Sequence, residues 1–194
     1  RTGFENRCLK LLVAAYKNAI QYMTISLDWD ENDITAQLHE YIDSNQLRLD
    51  WSIISNVEHH LPKDSVTKMK GFAAKYPRID LRFVTIKSSL EYQYFFEAKN
   101  LKEKSSALKR RYIHTGIDNF NSKKYSNGCL VAYLLNGNVE LTIGGINSLL
   151  VKDNREKEML SKENCKYHDN YYESTHSNIR CLKHYIFDFT LIQN

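Results

Sequence analysis

Three ionisable residues stand at the ends of two short apolar runs in "IDLRFVTIKSSLEYQYFFEAK", residues 79–99. The first run opens with Asp80, and the second closes with Glu97, Ala98 and Lys99. Runs this rich in β-branched and aromatic residues read as strands. Joined as an antiparallel hairpin through a four-residue "KSSL" loop, they pair Ile86 with Glu91, and every further pair keeps the index sum at 177. Asp80 and Glu97 then stand directly opposite each other. Side chains alternate faces along a strand, so Lys99 shares the face of Glu97. A register shift of two keeps the three together, and a shift of one separates them.

Two facing carboxylates repel unless positive charge lies between them. Mg²⁺ takes one or two carboxylates together with waters and phosphate oxygens, and Mn²⁺ is the alternative ion. Asp80 and Glu97 are therefore the candidate metal ligands. A bound ion of this kind polarises a phosphate and lowers the pKa of an attacking water. A lysine beside it orients or deprotonates that water and stabilises the charge developing on phosphorus. The arrangement suits metal-assisted phosphodiester hydrolysis, with Asp80, Glu97 and Lys99 as catalytic residues. The competing reading is an ordinary cross-strand ion pair between Asp80 and Lys99, which needs no function.

Other elements must hold this hairpin. From Phe4 to Met23 apolar residues recur at helical spacing (Phe4, Cys8, Leu11, Leu12, Ala15, Ala19, Tyr22). A second helix is expected from Ile34 to Ile42, after the turn-forming "SLDWDEND". "LDWSIISNVEHHL" reads as a strand ended by Pro62, and residues 63–76 as a weaker helical or loop segment. A basic helix is expected from about Ser106 to Phe120, then a buried central strand in "GCLVAYLLNG". "VELTIGGINSLLV" reads as a helix, "EKEMLSKENCKYHDNYYE" as a polar loop and "IRCLKHYIFDFTLI" as a final strand. The order predicts an α/β protein, a mixed sheet with helices on its faces. We read one domain overall, in which helices within residues 1–45 pack on a core formed by residues 46–194.

The pattern "ID…FFEAK" resembles the PD-(D/E)xK nuclease superfamily, in which an acid on one strand and E-x-K on the next form the catalytic core. Asp80 matches the first acid, Glu97 the second and Lys99 the lysine. The proline usual directly before the first acid is absent, and Pro77 sits three residues ahead. The likeness covers roughly Asp80 to Gly137, where "YIHTGIDNFNSKKYSNGCLVAYLLNG" is similar to the helix-then-strand segment of bacterial restriction and phage-defence nucleases. It implies a restriction endonuclease-like mixed β-sheet flanked by helices, with an N-terminal helical extension. It also implies Mg²⁺-dependent cleavage of DNA leaving a 5′-phosphate, and frequent dimerisation. The superfamily often adds an acid from a preceding helix. "WDENDITAQLHEYI" resembles that helix, with Glu31 the best match and Asp33 and Glu58 as rivals. In that role Glu31 would hold a water or a second cation. The competing role is that of any acid in a first helical turn.

The segment after Lys99 carries Lys102, Lys104, Lys109, Arg110, Arg111, Lys123 and Lys124. Such residues hold a nucleic-acid backbone without reading its sequence, or else form a solvated helix face. The net charge of +4 permits DNA as a partner without requiring it. Cys165, His168, His176, Cys181 and His184 have a spacing that could ligate Zn²⁺, although Cys181 and His184 would face opposite sides of a strand. None of the four cysteines forms a C-x-x-C pair. No apolar run approaches a membrane span and no signal-peptide pattern is present, so a cytoplasmic protein without membrane contact is expected. The chain opens on Arg1, as one domain of a longer protein would. The leading expectation is a DNA endonuclease of restriction or anti-phage defence, acting with a second copy or a partner subunit. The alternative is a catalytically silent nucleic-acid-binding or protein-interaction module of a larger defence assembly.

Overall fold

The helical spacing from Phe4 onward produces α1 (Thr2–Gln21), which buries Cys8, Leu11, Leu12, Ala15 and Ala19. α2 (Glu31–Asp43) follows, with Ile34, Leu38 and Ile42 fully buried. Each such aliphatic side chain contributes about 1.5–3 kcal/mol by leaving water. The computed structural model of the chain describes residues 2–60, 78–87, 89–125 and 127–193. The expected stop at Pro62, the segment 63–76 and Pro77 lie outside these residues.

Among the described residues seven strands form one sheet. They are β1 (Ile54–His60), β2 (Arg78–Lys87), β3 (Leu90–Lys102), β4 (Cys129–Asn136), β5 (Ser161–Lys162), β6 (Tyr171–Ser174) and β7 (Leu182–Asp188). Their order in the sheet is β1-β2-β3-β4-β7-β6-β5. β3, β4 and β7 run parallel, and every other neighbouring pair is antiparallel. The sheet is mixed, as expected, and β3 and β7 are the two seams between its parallel centre and its antiparallel flanks.

Alternate residues of the central strands feed two cores. Phe96, Ala98, Val131, Tyr133 and Phe187 pack under α1 and α2. Phe95, Leu101, Leu130, Ala132 and Ile186 pack under the other layer. That layer is α4 (Ser106–Arg111), a π turn (Tyr112–Ile117), α5 (Asp118–Asn121) and α6 (Val139–Lys152). The N-terminal helices are thus one of the two covering layers. Among the described residues no helix is long and apolar enough to cross a membrane.

Several expectations need correction. "LDWS" does not begin a strand: Leu49 and Asp50 end a short helix, α3 (Gln46–Asp50), and β1 starts only at Ile54. The stretch read as a polar loop contains β5 and all of β6 but its last residue. The last strand stops at Asp188, and Phe189–Gln193 form a 3-10 turn. The hairpin loop is shorter than four residues, because Lys87 pairs with Leu90.

Candidate active site on the second hairpin

β2 and β3 pair from Lys87↔Leu90 to Leu81↔Phe96, every pair with the expected index sum. Asp80 and Glu97 come next in that register. Here the strands part. Continuing the alternation, the Ala98 N–H would meet the Ile79 carbonyl, but it donates to Asp80 Oδ2 at 2.6 Å. On the other side, Val57 pairs with Leu81 and His59 with Ile79, while Glu58 between them has a φ of 49°.

Lys99 Nζ lies 2.9 Å from Glu97 Oε1 and 3.9 Å from Asp80 Oδ2, and donates to the Ala98 carbonyl at 2.6 Å. The Lys99 and Glu97 side chains are each 6% exposed and that of Asp80 24%. Buried charges need compensation, and one ammonium against two carboxylates leaves the cluster one negative charge in excess. The consequence is visible at Asp80, whose carboxyl is pushed up from 3.8 to about 6. Burial is the main cause, followed by the Glu97 charge; Lys99 and the Ala98 N–H oppose the shift, and Glu31 adds to it.

Glu97 has two further partners absent from the sequence reading. Tyr125 donates its hydroxyl to Glu97 Oε2 at 2.6 Å, and Asn119 Nδ2 lies 3.4 Å from Glu97 Oε1. Burial, then the Glu97 charge, holds the Tyr125 phenol far above its ordinary pKa. No spacing rule could have singled out this tyrosine from thirteen in the chain.

Glu31 reaches the same strand from the opposite layer. Asp30 caps α2, its Oδ1 accepting from the N–H groups of Asn32 and Asp33 at 2.8 and 3.0 Å. That leaves the Glu31 side chain free of the capping role. Glu31 Oε1 accepts the Asn100 N–H at 2.8 Å and Oε2 accepts from Arg111 at 2.8 Å. Asn100 also donates to the Trp29 carbonyl at 3.1 Å, which docks the start of α2 on β3. Of the rivals, Asp33 is exposed, and Glu58 lies on β1 with an exposed side chain 3.8 Å from Arg78. Glu31, Asn100, Lys102 and Arg111 line a cleft of about 420 Å³. A larger groove of about 900 Å³ opens at the other end of β3, near Glu5, Gln93 and Lys183. Its lining includes Tyr125 but none of Asp80, Glu97 and Glu31, whereas the smaller cleft is lined by Glu31.

The basic segment divides. Lys109 donates to the Glu103 carbonyl, Arg110 pairs with Asp153 and Arg111 with Glu31, while Lys124 lies over the Tyr125 ring at 5.0 Å. Lys102, Lys104 and Lys123 are exposed.

The Cys/His set does not converge on a common point. Both ring nitrogens of His184 and of His176 are hydrogen-bonded in a buried chain. Tyr112 lies 2.7 Å from His184 Nδ1, Ser174 Oγ 2.6 Å from His184 Nε2 and 2.7 Å from His176 Nε2, and Glu158 2.6 Å from His176 Nδ1. Because an ionised Glu158 only accepts, every proton is assigned in turn: Tyr112 donates to His184, His184 to Ser174, Ser174 to His176 and His176 to Glu158. His168 contacts the Ile186 carbonyl, and Cys181 donates to Glu173.

Two carboxylates and the Ala98 carbonyl are hard oxygen donors, and Lys99 already places a cationic group among them. With its negative excess, the cluster fits Mg²⁺ or Mn²⁺, which need few protein ligands. Among the described residues no group of three or more His, Cys, Asp or Glu is arranged to cage a metal. No protein family, curated protein or solved structure matches the chain.

Proposed function

We propose that this chain is a divalent-cation-dependent nuclease that hydrolyses DNA phosphodiester bonds, in the manner of the PD-(D/E)xK enzymes its motif resembles. The observation that carries the reading is the Asp80–Glu97–Lys99 cluster, placed where β2 parts from β3. A bound Mg²⁺ or Mn²⁺ would polarise a phosphate oxygen and acidify the attacking water. Asp80, Glu97 and the Ala98 carbonyl would hold it. Lys99, displaced a short way from the Ala98 carbonyl, would orient the water and stabilise the charge on the phosphoryl oxygens. Water adds to phosphorus, the bond to the 3′-oxygen breaks, and a 5′-phosphate remains. Glu31, held by Arg111 and the Asn100 N–H, would orient water beside the reacting phosphate. Lys102, Lys104 and Lys123 would hold the DNA backbone. A role in restriction or anti-phage defence, alone or with a partner subunit, follows from the same resemblance.

The test is incubation of the protein with plasmid, linear and single-stranded DNA in Mg²⁺ or Mn²⁺ and in EDTA. Cleavage with the ions, its loss in EDTA and its loss in Glu97→Ala support the reading. Normal cleavage by Glu97→Ala would remove the assigned site. DNA binding without cleavage under every condition would favour the catalytically silent module.

A further inference from the structure

We propose that Tyr125 and Asn119 are positioning residues for Glu97, neutral donors that fix its carboxylate and leave its charge available to a divalent cation. The inference rests on the cation-dependent reading above. Tyr125 takes Oε2 at 2.6 Å, so the lone pairs left on Oε1 face Lys99 and Asp80. Asn119 touches that same Oε1 from the helical layer at 3.4 Å, and its amide is itself tied to the Thr115 carbonyl. An arginine or lysine in the place of Tyr125 would fix the carboxylate equally well, but would cancel the negative excess that attracts a cation. A phenol orients without neutralising.

The local chain is built to aim this phenol. Tyr125 is 2% exposed, and its ring packs edge-on against Phe120 with centroids 5.0 Å apart, with Phe95 at 6.1 Å. It sits in the connection from α5 to β4, which is fixed at both ends by left-handed backbone. Lys123 has a φ of 59°, and Gly128 a φ of 140°. A Cβ at Gly128 would lie 2.1 Å from the Phe95 carbonyl oxygen, so only glycine lets the connection lie this close to β3. The hydroxyl is the only part of Tyr125 that a Phe replacement removes.

Partners that orient a metal ligand typically alter metal affinity 10- to 100-fold when removed. Mn²⁺ binding is measured by calorimetry on wild type, Tyr125→Phe, Asn119→Ala and, as a control, Tyr16→Phe. Tyr16 is another buried tyrosine, whose hydroxyl meets the Asp188 carbonyl. Tyr125→Phe is expected to bind Mn²⁺ about 10-fold more weakly. The Mn²⁺ concentration for half-maximal nicking should rise by the same factor at unchanged KM for DNA. Asn119→Ala, on a partly exposed helical position, shifts both in the same direction by a smaller factor, and Tyr16→Phe leaves them unchanged. Wild-type Mn²⁺ affinity in both Tyr125→Phe and Asn119→Ala would overturn the inference and leave the nuclease reading intact. Equal loss in Tyr16→Phe would reduce the effect to general destabilisation and overturn it too. A wild-type protein that binds no Mn²⁺ would remove the nuclease reading, and this inference with it.

Discussion

The Asp80 carboxylate accepts the N–H of Ala98, so a side chain takes the place of a strand-to-strand bond at the point where β2 leaves β3. A buried N–H left unpaired costs about 1–3 kcal/mol. The substitution therefore lets the strands diverge without that cost and anchors the carboxylate beside Glu97. The same placement charges the site against itself.

That charging predicts a stability gain on mutation. The folded pKa of Asp80, about 6, lies above its unfolded value of 3.8. The stability contributed by its protonated form is fully present below 3.8 and is lost as pH rises through 6, on the order of 2–3 kcal/mol in all. Asp80→Asn keeps an acceptor for Ala98 and removes the charge. In EDTA it should melt several degrees above wild type at pH 8 and show no such gain at pH 4, while cleavage falls by orders of magnitude. A lower melting point at pH 8 would contradict the crowding of charge described here.

Asp30 and Glu31 are neighbours with separable roles. Asp30→Ala should lower stability by about 1 kcal/mol through the lost cap and leave cleavage nearly unchanged. Glu31→Gln keeps the acceptor for Asn100 and loses only its pair with an exposed Arg111, a change of about 0–1 kcal/mol. Its cleavage rate should drop by orders of magnitude at a near-normal melting temperature. Parallel melts and nicking assays on the two variants check the split.

For DNA binding, the exposed lysines should matter more than the paired arginine. Charge removal at Lys102, Lys104 and Lys123 should weaken binding to unrelated sequences alike. The salt slope should fall by about one for each phosphate that is no longer neutralised. Arg110→Ala should chiefly lower stability, since its partner is Asp153. Fluorescence anisotropy across a salt series separates the two. Salt slopes unaltered by the triple lysine change would return the segment to a solvated surface.

The buried chain through His184 predicts acid sensitivity. Burial, then His176, lowers the His184 pKa from 6.5 to about 3. The unfolded chain takes up this proton near 6.5 and the folded one only near 3. The contribution is therefore fully present above 6.5 and lost as pH falls, by up to about 1.4 kcal/mol per unit. Asp80 titrates with the opposite sign below about 6 and offsets this loss, so the check is comparative. In denaturant titrations from pH 8 to 4, His184→Leu should be less stable than wild type at pH 8, and the difference should shrink as pH falls.

The hairpin register was legible because period-two alternation and a short connection leave few pairings. The loop length was not: Ser89 adopts a φ of 63°, a left-handed turn conformation unusual for serine. "LRLD" alternates as a strand would, yet Asn45 caps it as a helix through the Leu47 N–H. β6 is four residues long, too short for its alternation to stand out from the polar segment around it. Glu31 was singled out only by the motif resemblance, and the structure docks it on β3 through the Asn100 N–H. Tyr125 and Asn119 were missed because their contacts to Glu97 cross 28 and 22 residues of sequence.

The π turn between α4 and α5 sets a phase. Arg111, on Glu31, and Asn119, on Glu97, are eight residues apart on one helical path. Eight residues of unbroken α-helix rotate about 800°, which would leave the two side chains roughly 80° apart around the axis. The extra residue of a π turn takes back about 100°, bringing them to within roughly 20° of each other. One additional residue in a single turn thus aligns an arginine on the acid that α2 delivers to β3 and an asparagine on the acid that β3 itself carries.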